Sequence, residues 1–326
     1  MLNRENRQVV VASPENILIT TGSQQALTIL GMVFINPGDK VAVESPTYLG
    51  ALQAFSPCQP QYVEIPTDDN GIIPEHLNEV LTKEPKIKFV YTVPTFQNPT
   101  GKTIPLERRV AIAQILKEHG KIAVEDDPYS ELRYEGKPIP SLQSLAPENI
   151  IHLFTFSKTL APDFRVGGLV APKEIRDAAT IVKQGLDLYT GNYNQAIVAE
   201  YLAGGYLEKH IPEIVALYRP RREVMAASIK TYFPDIFDFT HPKGGMFLWA
   251  FLREEAQKYT DRLDIESIND EAIQANVGFV PGAPFFARKD NIPPSMRLNF
   301  TNQPEPKIEQ GIKTIGEILQ QRLKHF

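Results

Sequence analysis

Over its first half the chain alternates short apolar runs with longer segments of helical period. Strand-like runs fall at 17–20, 40–44, 61–65, 88–93, 121–125 and 150–156. Between them, residues 23–34, 74–82 and 105–119 carry apolar side chains at three- and four-residue spacing, as Ala26, Leu27, Leu30 and Phe34 do. Asn36-Pro-Gly-Asp39 marks a turn, and Pro105 suits the first turn of a helix. This order predicts an α/β fold with a mainly parallel sheet flanked by helices. The second half is different. Residues 173–188, 195–206, 211–232 and 307–323 read as helices, with strands at 246–252 and 295–301. The expectation is a large α/β domain over 1–212 and a smaller C-terminal α+β domain over 213–326.

Composition narrows the class. The 326 residues are 42% hydrophobic and 22% charged, which fits a globular chain and excludes disorder or a fibrous repeat. Net charge is 34 − 39 = −5. That disfavours a general nucleic-acid or anionic-membrane surface, while leaving room for a local basic pocket. Cys58 is the sole cysteine, so there is no disulfide framework and a reducing, cytoplasmic setting is expected. No apolar run approaches the ~18 residues of a membrane helix.

In open α/β sheets, ligands collect outside the carboxyl ends of the strands. Four unusual segments fall there. Gly22-Ser23-Gln24 joins a strand to a helix start, where free N–H groups suit a phosphate, although taken alone an ordinary Ser cap is the better reading. Asn98-Pro-Thr-Gly-Lys-Thr103 ends like a phosphate-binding P-loop, but Phe96 stands where the first glycine belongs, so a plain turn is the simpler reading. Asp126 and Tyr129 follow a strand beside Glu125 and Asp127. With the histidines scattered, no metal site is expected, and a solvated acidic loop is the alternative. Lys158 follows Ser157 at a strand end, with Arg165 seven residues on, and such a lysine can become a nucleophile. Farther along, Arg297 alternates with Met296 and Leu298. It is either a solvated strand residue or a fork for a carboxylate. The Arg219–Arg222 cluster reads as a solvated helix face. There is no G-x-S-x-G, no H-E-x-x-H and no strand-borne G-x-G-x-x-G.

Taken in order, TTGSQQAL (20–27), ESPTYLGA (44–51), FQNPTG (96–101), EDDPYSEL (125–132), TFSKTLAPDFRVGG (155–168), GGMFLW (244–249) and MRLNFT (296–301) resemble the fold-type I, class I/II aminotransferases dependent on pyridoxal 5′-phosphate (PLP). The wording is most similar to the 2-aminoadipate and broad-specificity subgroup, and to the aminotransferase-like domain of MocR-type regulators. The resemblance implies a seven-stranded-type sheet, a PLP cofactor, and ping-pong transfer of an amino group between an α-amino acid and a 2-oxo acid. It implies that Lys158 holds PLP as a Schiff base and shuttles the proton, that Asp126 pairs with the pyridine nitrogen, and that Tyr129 and Asn98 bind the phenolic oxygen. Tyr48 is to stack on the ring. Gly22, Ser23, Gln24, Thr155, Ser157 and Arg165 are to hold the phosphate, and Arg297, helped by Asn98, the substrate carboxylate. GGMFLW is expected to be packing. The resemblance also implies a homodimer. Other readings are a PLP β-lyase on the same fold and a non-catalytic effector domain. Relatives carry a substantial segment before the TTGSQQAL stretch. Only 22 residues precede Ser23 here, so a truncated chain is expected.

Overall fold

The computed structural model describes residues 10–324. One sheet contains β1 (Ile17–Thr20), β2 (Lys40–Ser45), β3 (Gln61–Asp68), β4 (Gly71–Ile72), β5 (Phe89–Thr92), β6 (Ile122–Asp127), β7 (Ile150–Thr155) and β8 (Gly167–Val170). Their spatial order is β1-β8-β7-β6-β5-β2-β3-β4. Neighbours from β7 through β3 are parallel, and β8, β1 and β4 join antiparallel. The parallel centre matches the expectation, with eight strands where a seven-stranded type was anticipated. The additional strand is β4, a two-residue partner of β3.

Strand β8 was also not foreseen, because its two leading glycines carry no strand signal. Bare backbone is what the packing needs. A Cβ on Gly167 would stand 2.5 Å from the Phe154 carbonyl oxygen, and one on Gly168 2.6 Å from that of Leu18.

Helices α1 (Ser23–Phe34), α2 (Leu49–Phe55), α3 (Pro74–Lys83), α4 (Leu106–Glu118), α5 (Leu142–Leu145) and α6 (Lys173–Asp187) cover both faces. Central strands are apolar along their length because successive residues enter different cores. Val43, Tyr91 and Val124 pack with Leu27 of α1, Phe55 of α2 and Ala179 of α6. Ala42, Val90 and Ala123 pack with Leu77 of α3, Leu116 of α4 and Leu142 of α5.

The remaining helices are α7 (Asn192–Ala203), α8 (Tyr206–Tyr232), α9 (Ile265–Gln274) and α10 (Glu305–Lys324). A second, antiparallel sheet holds β9 (Phe237–Phe239), β10 (Phe247–Leu252), β11 (Val280–Pro281) and β12 (Ser295–Asn299) in the order β11-β12-β10-β9. Leu248, Ala250, Met296 and Leu298 form its core with Met225 and Ile229 of α8 and Ile312 and Leu319 of α10. Helix α8 runs through Pro212 and Pro220, starting five residues before the expected 211.

Two expectations are corrected here. The Arg219–Arg222 cluster is a solvated face only in part: Arg219 is exposed and Arg221 half-buried, but Arg222 is not. Arg222 is 1% exposed, donates to the Pro242 carbonyl at 2.6 Å and pairs with Glu135 at 2.6 Å. Arg219 donates to the Tyr134 carbonyl and Arg221 to that of Thr301. Nor are the acids at 125–127 a solvated loop: they are the end of β6, with Glu125 and Asp126 buried. Before β1, Pro14–Asn16 forms a single 3-10 turn.

Candidate functional site

Strand order reverses between β2 and β5, and there the site opens. Tyr48 caps the start of α2 just after β2, and Asn98 lies in the loop after β5. Asp126 is on β6 and Tyr129 just beyond it. Thr155, Ser157 and Lys158 follow β7, Arg165 precedes β8, and Gly22, Ser23 and Gln24 begin α1. Arg297 comes from β12 of the second sheet. Every residue expected from the sequence therefore reaches one region.

The second sheet meets the first through Arg297. Its Nη1 donates to Asn98 Oδ1 at 3.0 Å, and Asn98 Nδ2 donates to the Tyr129 hydroxyl at 3.4 Å. The guanidinium lies 4.2 Å from the Phe247 ring centroid and 5.2 Å from that of Phe285. Phe247 also meets Tyr129 edge-on, with centroids 6.0 Å apart. Sequence reasoning assigned Phe247 only to packing. Its place beneath the arginine depends on the pairing of β10 with β12, which no local pattern reveals.

A second group gathers at the start of α1. Gly22, not Ser23, is the N-cap, so the expected Ser cap is absent. With φ 76° and ψ 167°, Gly22 holds a backbone conformation that side chains resist. A Cβ there would sit 2.5 Å from Arg165 Nη2. The first-turn N–H groups thus face a bare cradle beside a guanidinium. Arg165 donates to the Ser157 hydroxyl at 3.3 Å and to the Thr21 carbonyl at 3.3 Å. Thr155 donates to Ser157 at 3.1 Å. Tyr48 reaches the Gln24 side chain at 3.5 Å.

Behind the loops lies Glu44, also missed from sequence. Its carboxylate accepts from the Val93 N–H at 3.0 Å, Thr92 Oγ1 at 2.9 Å and Gln97 Nε2 at 3.4 Å. Gln97 also donates to the Pro46 carbonyl at 2.8 Å. Glu44 and Gln97 thereby staple the loop bearing Tyr48 to the loop bearing Asn98.

The site's charges are tuned by burial. Lys158 is held below its ordinary range, first by desolvation and then by the cations Arg165 and Arg297. Asp126 is 2% exposed, and burial, aided by the Asp127 charge, pushes it up to about 7 against the pull of Tyr91. Tyr91 donates to Asp126 Oδ2 at 2.9 Å, while Oδ1 is buried without a hydrogen-bond partner among the described residues. Such an acceptor asks for a hydrogen-bond donor. Tyr91 pairs in register with Val124, which puts it on the same face as Asp126.

These observations test the implied cofactor. The orphaned Asp126 oxygen fits a protonated pyridine nitrogen, and the bare Gly22 cradle beside Arg165 fits a phosphate. Arg297 donates to Asn98 through Nη1 and has no carboxylate partner among the described residues, and its Nε is buried without a partner, which leaves donors of that guanidinium for a carboxylate. The residues present fit PLP.

Comparison with known proteins agrees. The family model for aminotransferase class I and II matches residues 2–315. Aromatic-amino-acid aminotransferase 1 of Thermococcus litoralis is 43% identical over 323 residues, covering 98% of this chain and 76% of the relative. Kynurenine aminotransferase of Pyrococcus horikoshii, solved with PMP, superposes with a TM-score of 0.88 at 46% identity, over 95% of this chain and 76% of that one. The α-aminoadipate aminotransferase of Thermus thermophilus, complexed with N-(5′-phosphopyridoxyl)-L-leucine, gives 0.90 at 37%, over 97% and 79%.

Proposed function

Because this chain belongs to the aminotransferase class I and II family, and is a PLP-dependent transaminase, we propose that the residues gathered around β6 carry its half-reactions. The chain moves an amino group from an α-amino acid to a 2-oxo acid. The β-lyase and sensor readings are not favoured by the matches.

One observation carries the assignment of roles: the buried, unpartnered Oδ1 of Asp126 at the head of the site. PLP, when bound, supplies an electron sink that makes the substrate α-proton removable. Asp126 accepts from the ring nitrogen and keeps it protonated. Lys158 Nζ, neutral more readily for its depressed pKa, would hold the cofactor and could take up and return the α-proton. Tyr129 and Asn98 would bind the phenolic oxygen, and Tyr48 would face the ring. Gly22, Ser23, Gln24, Thr155, Ser157 and Arg165 hold the phosphate. Arg297, positioned by Asn98 and the Phe247 ring, grips the substrate carboxylate. The named relatives act on aromatic amino acids, kynurenine and aminoadipate, so these head the proposed list of donors.

We further propose a homodimer working in a cytoplasm. Ile181, Leu188, Tyr189 and Tyr193 are 64–79% exposed around the ends of α6 and α7, an apolar patch of the kind that marks an interface. Among the described residues no helix is long and apolar enough to cross a membrane. The proposed domains, 1–212 and 213–326, meet within α8.

Absorption spectroscopy tests the reading. Protein loaded with PLP should show the visible band of the lysine-held cofactor, and Lys158→Ala should abolish it. Adding donors singly should bleach the wild-type band and rank the substrates. A wild type with no band would remove the cofactor assignment, and a band that no amino acid bleaches would leave an inactive binder.

A further inference from the structure

Lys183 plays no part in the roles assigned so far, yet it is 4% exposed one turn before the end of α6. Buried lysines need a partner, and this one has a cluster. Its Nζ donates to both oxygens of Asp187, at 2.6 and 2.8 Å, and to Gln25 Oε1 at 3.2 Å. Gln25 Nε2 donates to Asp187 Oδ2 at 2.7 Å, closing a three-membered ring of side chains. Hydrogen bonds from Lys183 and Gln25 overcome the effect of burial and hold the Asp187 carboxyl below the usual range.

This ring touches the backbone of the cradle. Gln25 Oε1 accepts from the Thr21 N–H at 2.7 Å, and Asp187 Oδ2 accepts from the Thr21 hydroxyl at 3.2 Å. Thr21 is thus gripped from behind at both its N–H and its side chain. Its carbonyl, on the other side, accepts from Arg165. The next residue is Gly22, whose unusual backbone angles aim the N–H groups of Ser23 and Gln24.

We propose that Lys183, Asp187 and Gln25 form a positioning clamp that presets the Thr21–Gln24 backbone for the cofactor's phosphate. The inference rests on the reading of Gly22–Gln24 as the phosphate cradle. None of the three touches the ligand; they fix the peptide units that do. A preset anion site binds without the cost of ordering its own donors. Loosening the clamp therefore weakens the grip on the phosphate and leaves the rest of the site intact.

The phosphate itself gives the readout. Apoprotein is titrated with PLP and, separately, with pyridoxal, which lacks the phosphate. For Lys183→Met the PLP dissociation constant should rise at least tenfold, while that for pyridoxal stays within twofold of wild type. Lys183→Arg, which keeps the charge and the donors, should recover most of the loss. Turnover at saturating PLP should stay within threefold. Gln25→Leu removes the bridge without leaving a buried charge, carries the same expectation, and decides the matter if Lys183→Met does not fold. Equal weakening for PLP and pyridoxal would mean general loosening and overturn the clamp. So would unchanged PLP affinity in a folded variant. A wild type that does not prefer PLP over pyridoxal would instead defeat the cradle reading itself.

Discussion

From β6, Glu125 looks toward α4 and α5, while Asp126, the next residue, looks toward Tyr91 and the open end of the sheet. Both are buried. Glu125 is fully satisfied: it accepts from the Leu142 N–H at 2.9 Å, the Gln143 N–H at 3.0 Å and His152 Nδ1 at 3.2 Å. Burial works against its charge, yet His152, Arg109 and these N–H groups hold its carboxyl below the ordinary range. Asp126 has one hydrogen bond and one bare oxygen, and it rises to about 7. The same strand thus carries a finished structural ion pair on one face and an unfinished one on the other. The unfinished one marks the proposed site.

That contrast can be attacked directly. Asp126→Asn should lower kcat/KM by about three orders of magnitude with little loss of fold, since on the proposed reading it removes the charge that would hold the ring nitrogen protonated. Glu125→Gln should do the reverse, costing ~3 kcal/mol of stability, read by denaturant unfolding, with turnover per folded molecule nearly unchanged. Similar effects from both would erase the distinction.

A slightly smaller effect concerns pH. Glu44 resembles Asp126 in that burial pushes it up to about 7. A raised folded pKa means that the folded chain binds the proton more tightly. Stability from Glu44 and Asp126 is therefore full below about pH 4 and is lost as pH rises through about 7. Glu125, with its lowered pKa, contributes above about pH 4.5 and fails as acid protonates it. Apoprotein stability should fall between about pH 5 and 8, and Glu44→Gln should flatten that fall by ~3 kcal/mol. A curve of denaturation midpoint against pH that the variant leaves unchanged would take Glu44 out of the account.

Weaker still is Tyr91→Phe. It removes the hydroxyl that favours the Asp126 carboxylate, so the acidic limb of the kcat profile should move to higher pH and the rate fall about fivefold to tenfold. A limb that stays in place would show that Tyr91 merely packs. The smallest expected change is Phe247→Leu. Losing the ring under Arg297 is worth ~1 kcal/mol and should raise KM about fivefold with kcat held. A fall in kcat alone would place the ring elsewhere in the mechanism.

Much of this was legible in the sequence, and what was hidden follows a rule. Lys158, Asp126, Asn98 and Arg297 stand in segments whose order along the chain singles them out as candidates. Tyr91, Glu44, Phe247 and Lys183 do not, because their roles depend on which strand lies beside which. Tyr91 matters only because β5 pairs with β6, and Phe247 only because β10 pairs with β12. Charge alone misled as well. Arg222 looked like surface until α8 was seen to bury it between the two sheets' loops, and Glu125 could not be told from Asp126 without the partners that each finds.

Gly22, Gly167 and Gly168 bring no functional group to the reaction, yet each stands where a single methyl would strike a guanidinium or a carbonyl at 2.5–2.6 Å. In a survey of mutational tolerance these three positions should be nearly as closed to substitution as Lys158. A lineage that drifted in its choice of substrate would find its surface loops free to vary and these blank places fixed.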